Sequence, residues 1–248
     1  MSTSKRQGKG PPVILLHGIG ANKDLWPETL NVLGENFSIY TCDLPGHGSA
    51  TGEANMNLDA MVNSVCEELD QIGLERFHLV GVALGASVAI KLIQGNRFQV
   101  LSLFVASLGL APEEALSDEV YGTREALHYL TEQNFAEQMG EALLIPDAPP
   151  KSVEALRDSI RQMGKNNFLK SLQTLAEAGR SQDVQKVGCP ITVIRGELDE
   201  FISPQNAQSL ASRLGSTAVI ELVDTGHLAN LDNPTEFSNV VENWLVEQ

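Results

Sequence analysis

The distribution of apolar residues constrains this chain more than any other feature. Six short runs, Val13–Leu16, Phe37–Cys42, Phe77–Val82, Val100–Ala106, Ile191–Arg195 and Ala218–Val223, are β-branched and mostly apolar at successive positions. A strand that is apolar on both faces must be covered on both, which is the environment of a buried parallel sheet. Helically spaced stretches separate the runs. Leu58–Ile72 places Met61, Val62, Val65, Leu69 and Ile72 along one face. Leu84–Gln94, Pro204–Leu214 and Pro234–Val246 repeat the pattern. The last two open on proline, whose missing N–H is harmless at the first helical position. Alternating strand and helix predicts an α/β fold, a mostly parallel central sheet flanked by helices.

The alternation stops between about Pro112 and Arg180. Arg124–Leu130, Ser152–Met163 and Phe168–Ala178 are helical in pattern, with Pro146, Pro149 and Pro150 interrupting them and no strand between. This predicts a helical cap inserted into one structural domain, with 1–111 and 181–248 forming the core and 112–180 the cap. Met1–Gly10 is polar and is expected to be flexible. Its Lys5, Arg6 and Lys9 precede no apolar stretch, so it does not read as a secretory signal.

Charge and cysteine use exclude several classes. The net charge of −15 disfavours nucleic acid and anionic membrane surfaces as partners. No run of 18 apolar residues predicts a membrane span. Cys42, Cys66 and Cys189 are widely spaced and odd in number, which fits a reducing, cytoplasmic setting and neither a zinc site nor a dithiol. No G-x-G-x-x-G or G-x-x-x-x-G-K-[ST] segment occurs, and the histidines lack metal-ligand spacing, so no cofactor or metal is expected.

Four local signals point to chemistry. Gly81-Val82-Ala83-Leu84-Gly85 follows a predicted strand and opens a helix, the setting of the nucleophile elbow G-x-S-x-G, with alanine where serine is expected. His17-Gly18-Ile19-Gly20 follows the first strand, and the amides of Ile19 and Leu84 are candidate oxyanion donors. His17 itself reads as a loop brace. Asp199, in Arg195-Gly196-Glu197-Leu198-Asp199, stands past a strand's C-terminal end, where it can orient a histidine; Glu197 and Glu200 compete for that role. His227, after the last strand, is the candidate general base.

With Asp43-Leu44-Pro45-Gly46-His47-Gly48-Ser49 after the second strand, these motifs resemble the α/β-hydrolase family in content and order, from about Pro12 to the C-terminus. The resemblance implies that position 83 is the nucleophile, Asp199 the acid, His227 the base, and Ile19 and Leu84 the oxyanion amides. It also implies that the insertion is a cap selecting substrate. The chain begins with a short polar tail where many members carry a β-hairpin, so the sheet is expected to be one or two strands smaller. The implied reaction is cleavage of a small carboxylic ester, lactone or related acyl substrate, with Ala83 inactivating or severely impairing the enzyme. The intact histidine, aspartate and oxyanion loop favour replacement of serine in a hydrolytic site. The alternatives are a naturally non-catalytic homologue binding a ligand or partner, and a cofactor-free oxygenase or lyase using His227 as base. Trp26 and Arg124 are candidate substrate contacts. Arg157 and Arg161 read as surface charges paired with neighbouring carboxylates, and Phe135, Phe168 and Phe201 as core packing.

Overall fold

The computed structural model describes residues 5–52, 55–110, 127, 129–179, 184–216 and 219–248. Among the described residues, seven strands form one sheet: β1 (Lys5–Gln7), β2 (Pro12–Leu16), β3 (Ser38–Thr41), β4 (Arg76–Val82), β5 (Gln99–Ala106), β6 (Ile191–Gly196) and β7 (Val219–Leu222). Their order is β1-β3-β2-β4-β5-β6-β7, parallel throughout except for β1. The six apolar runs correspond to β2–β7 to within one or two residues.

The tail is the correction. Lys5–Gln7 pairs antiparallel with β3, Arg6 opposite Tyr40, and Gln7 Nε2 donates to the Leu30 carbonyl at 2.9 Å. Polar side chains do not prevent pairing at an edge, where the backbone supplies the bonds and one face can meet water. The sheet therefore has one more strand than the apolar pattern reveals.

Around the sheet lie α1 (Pro27–Leu33), α2 (Leu58–Gln71), α3 (Leu84–Gln94), α7 (Pro204–Leu214), the single turn α8 (Ala229–Asp232) and α9 (Pro234–Val246). Among the described residues, three helices stand between β5 and β6: α4 (Glu132–Ala142), α5 (Pro150–Met163) and α6 (Lys165–Gly179). β4 is buried at every position after Arg76, as a central strand must be, whereas edge strand β7 exposes Ile220 and Glu221. Phe104 of β5 meets Phe237 and Trp244 of α9 edge-on, at centroid distances of 5.9 and 5.6 Å, and anchors that helix to the sheet. Because the six parallel strands share a direction, the turns after β2, β4, β6 and β7 gather at one edge.

Candidate active site

Only Ala83 separates β4 from α3. Its backbone takes φ 48° and ψ −111°, a left-handed conformation costing a non-glycine residue roughly 1–2 kcal/mol. The flanking glycines explain how it is imposed. A Cβ on Gly81 would stand 2.6 Å from Ala86 Cα, and one on Gly85 2.2 Å from the Leu16 carbonyl oxygen. The turn folds onto itself at Gly81 and against β2 at Gly85, leaving space for no side chain. The Ala83 amide donates to Ala106 at 2.9 Å, and its carbonyl accepts from Ala86 and Ser87. Leu84 occupies the first turn of α3, where N–H groups have no intrahelical acceptor and the helix presents its positive end.

The loop after β2 closes on the same point. A Cβ on Gly18 would lie 3.4 Å from Ala83 Cβ and 3.1 Å from Leu228 Cδ2, so that loop, the turn at 83 and the residue after His227 meet. His17 Nε2 accepts the Leu44 amide at 3.1 Å, which leaves the proton on Nδ1 to donate to the Gly18 carbonyl at 2.9 Å. Burial holds this imidazole below its ordinary protonation range. It is a neutral strut between the loops after β2 and β3. The second loop is fixed by buried Asp43, which accepts from Lys23 N and Nζ and from Ser49 N and Oγ at 2.6–2.8 Å. Burial alone would raise the Asp43 carboxyl, but the Lys23 and Ser49 donors outweigh it and hold it at about 2. His47 lies 4.9 Å from His17, ring to ring, and burial, reinforced by His17, pushes it down to about 3.

β6 delivers Asp199, whose side chain is fully buried. Both carboxylate oxygens lie 3.1 Å from His227 Nδ1, and Oδ1 also accepts the amides of Phe201 and Ile202 at 2.9 and 3.0 Å. An ionised carboxylate only accepts, so Nδ1 carries the proton and the Nε2 lone pair is available for proton transfer. Glu197 and Glu200 are exposed and take no part in this contact. The turns carrying Asp199 and His227 are joined directly: Glu197 N donates to Leu222 O at 2.8 Å and Leu198 N to Thr225 O at 2.9 Å. A Cβ on Gly196 would lie 2.3 Å from the carbonyl oxygens of Thr225 and Gly226.

A model of the α/β-hydrolase family matches residues 13–240. The chain belongs to the α/β-hydrolase family. Among its relatives, the human monoacylglycerol lipase ABHD6 is 25% identical, over 97% of this chain and 77% of that protein. The esterase Rv0045c of Mycobacterium tuberculosis is 28% identical, over 96% of this chain and 84% of that protein. The esterase EaEST of Exiguobacterium antarcticum superposes with a TM-score of 0.84 at 19% identity, covering 99% of this chain and 95% of that one, a likeness of fold.

In this hydrolase-family chain the inserted helices press on the loop after β2. A Cβ on Gly20 would stand 2.9 Å from Ile160 Cγ1 of α5 and 3.2 Å from Phe168 Cε2 of α6, and Asn22 Nδ2 donates to Ser159 Oγ at 2.9 Å. Thr174 Oγ1 and Asn167 Nδ2 donate to the Met56 and Thr51 carbonyls at 2.7 and 3.2 Å, tying α6 to the segment before α2. Arg157 pairs with Glu137 and Glu141, and Arg161 with Glu137 and Asp158, so both cations are engaged within the inserted helices. Arg124 lies outside the described residues. Among the described residues, no group of three or more His, Cys, Asp or Glu could hold a metal ion, and no helix is long and apolar enough to cross a membrane.

The aromatic residues divide. Phe135 of α4 and Phe168 of α6 pack edge to face at 5.1 Å. Trp26 is 1% exposed with its ring 6.1 Å from Phe237, and its indole Nε1 has no partner among the described residues. Phe201 departs from core packing: it is 56% exposed and its ring lies 4.9 Å from that of His227. Two further residues escape sequence reasoning. Buried Arg195 donates to the carbonyls of Ile202, Glu197 and Asp199 and pairs with Glu221, bracing the acid turn from behind. A cation ending an apolar strand is the signal that could have found it. The other is Asp232, whose five-residue distance from His227 carries no helical or strand signature.

Proposed function

We propose that the site binds a small carboxylic ester, lactone or related acyl compound with its carbonyl carbon above position 83, and that the chain is a hydrolase in its serine form. Ile19 and Leu84 supply amides to the carbonyl oxygen, His227 is the general base, and Asp199 holds its tautomer and stabilises its cation. In the serine form, His227 Nε2 takes the hydroxyl proton as the oxygen bonds to the carbonyl carbon. Collapse of the oxyanion breaks the bond to the leaving group, which takes the proton from His227. Water, deprotonated by the same histidine, then releases the acid and restores serine.

The observation that supports this reading most is the backbone of Ala83. A methyl group gains nothing from a left-handed turn held between two glycines, nor from the His227–Asp199 pair beside it. Both are what a nucleophilic oxygen requires. The relatives' ester chemistry agrees with it. With alanine the covalent route is closed, and loss of such a nucleophile costs on the order of 10⁶ in rate. The chain as it stands binds and holds its ligand. The test is turnover of short p-nitrophenyl esters and enol-lactones by Ala83→Ser. Measurable hydrolysis by the variant and none by the Ala83 chain is expected; an inert variant across the panel contradicts the reading.

The missing hydroxyl favours one other chemistry, proton abstraction by His227 from a bound acidic C–H without an acyl intermediate. Oxygen uptake or C–C cleavage by the Ala83 chain on an enolisable heteroaromatic would mark it.

A further inference from the structure

Asp232 is the buried carboxylate for which the triad has no use. It closes the single turn α8 and is 4% exposed. Its Oδ2 accepts the Gly226 amide at 3.0 Å, and its Oδ1 accepts the Ile145 amide at 2.8 Å. The two donors belong to different parts of the molecule. Gly226 immediately precedes His227, whereas Ile145 lies in the cap between α4 and α5. The contact is tight: a Cβ on Gly226 would stand 2.7 Å from Ile145 Cγ2 and 2.8 Å from Asp232 Oδ2. Asn230 of the same turn donates to the Leu25 carbonyl at 3.2 Å, fixing α8 from its other side.

We propose that Asp232 is a positioning residue for His227, clamping the loop that carries the base to the cap by spanning the Gly226 and Ile145 amides. The inference rests on the reading of His227 as general base. The chemistry of the clamp requires a carboxylate. Two N–H donors approach, one to each oxygen, and asparagine would meet one of them with an NH₂ group. Burial raises the Asp232 carboxyl to about 6, against the opposing pull of the two amides and of His227. The ionisable groups acting on it are His227 and Asp199. Its negative charge favours the cationic form of the base, so the clamp acts on the base through charge as well as through position.

The first test needs no variant. By NMR of the Ala83 chain, the amide protons of Gly226 and Ile145 are expected to titrate together, with a midpoint near 6. In Asp232→Asn, the ring resonances of His227 are expected to shift and broaden as the Gly226 amide loses its carboxylate acceptor. In Ala83→Ser, adding Asp232→Asn is expected to lower kcat about 10- to 100-fold while KM moves less than about threefold. Amides that do not titrate together, or His227 ring resonances unchanged in folded Asp232→Asn, overturn the inference. An inactive serine form with both NMR shifts present would sink the hydrolase reading and leave the clamp standing.

Discussion

Ala83 is held in its conformation by its neighbours, and the neighbours' constraints are quantitative. Gly85→Ala would set a methyl group 2.2 Å from the Leu16 carbonyl oxygen and 2.6 Å from that of His17, backbone atoms with nothing flexible to yield. A loss of about 2 kcal/mol or more in urea unfolding is expected; a change under about 0.5 kcal/mol would show that the turn relaxes freely. Asp199 makes a different demand. Its proposed role is to hold the proton on Nδ1 of His227, 3.1 Å away. In the serine form, Asp199→Asn is expected to lower kcat by about 10⁴, because an amide can stabilise the wrong tautomer. Glu197→Gln is expected to leave kcat within about threefold, since Glu197 is exposed and outside the pair. At this scale the sequence is most legible where the chemistry has a fixed order. Gly81, Gly85, Asp199 and His227 announce themselves by type and position relative to strands. Asp232 and Phe201 do not, because each gains its meaning from burial or from a ring beside it, and neither leaves a periodic trace.

Among the elements, the pair of turns after β6 and β7 behaves as a unit. Arg195 holds the first turn by three carbonyls, those of Glu197, Asp199 and Ile202, and Gly196 lets the second lie directly against it. Arg195→Met keeps much of the packing volume and removes every donor. A loss of about 2–4 kcal/mol in unfolding free energy is expected, from buried carbonyls left without partners. In the serine form kcat is expected to fall with it, since the acid turn loses its support. A variant of unchanged stability and kcat would mean that Glu197, Asp199 and Ile202 are held by their other bonds alone. Strands β2–β7 were readable because each is an apolar run between turn residues. β1 was not, because Lys5–Gln7 contributes backbone pairing and no apolar face. α4 was missed as well: its cap residue Thr131, accepting from Asn134 N at 3.2 Å, is a local start signal, but Phe135 and Ala136 are its main buried residues. α8 is one turn long, below what periodicity can register.

For the whole molecule, the sheet order fixes which turns can cooperate, and burial fixes how the fold answers to acid. His47 titrates near 6.5 when unfolded but only at about 3 in the fold. The stability it confers above 6.5 is therefore lost as pH falls towards 3. Asp43, lowered from 3.8 to about 2, adds a further loss below 3.8. Asp232 acts in the opposite sense: raised from 3.8 to about 6, it stabilises the fold as pH falls through 6. His17 and His78, lowered by burial in the same sense as His47, add to the loss below 6.5, and Asp232 offsets only part of it between about 6 and 4, so urea unfolding free energy is expected to fall less steeply there than below about 4. In Asp232→Asn the compensation is gone and the decline between about 6 and 4 is expected to steepen. An unchanged slope in that variant would show that Asp232 is not the compensating group.

The central claim, that position 83 is the nucleophile's place in an otherwise complete site, is tested most directly by covalent capture. Ala83→Ser and the Ala83 chain are each treated with a fluorophosphonate and read by intact mass and peptide mapping. One stoichiometric adduct is expected, on the new hydroxyl at position 83, abolished by His227→Gln and absent from the Ala83 chain. A serine form left unlabelled, or labelled elsewhere, would contradict it.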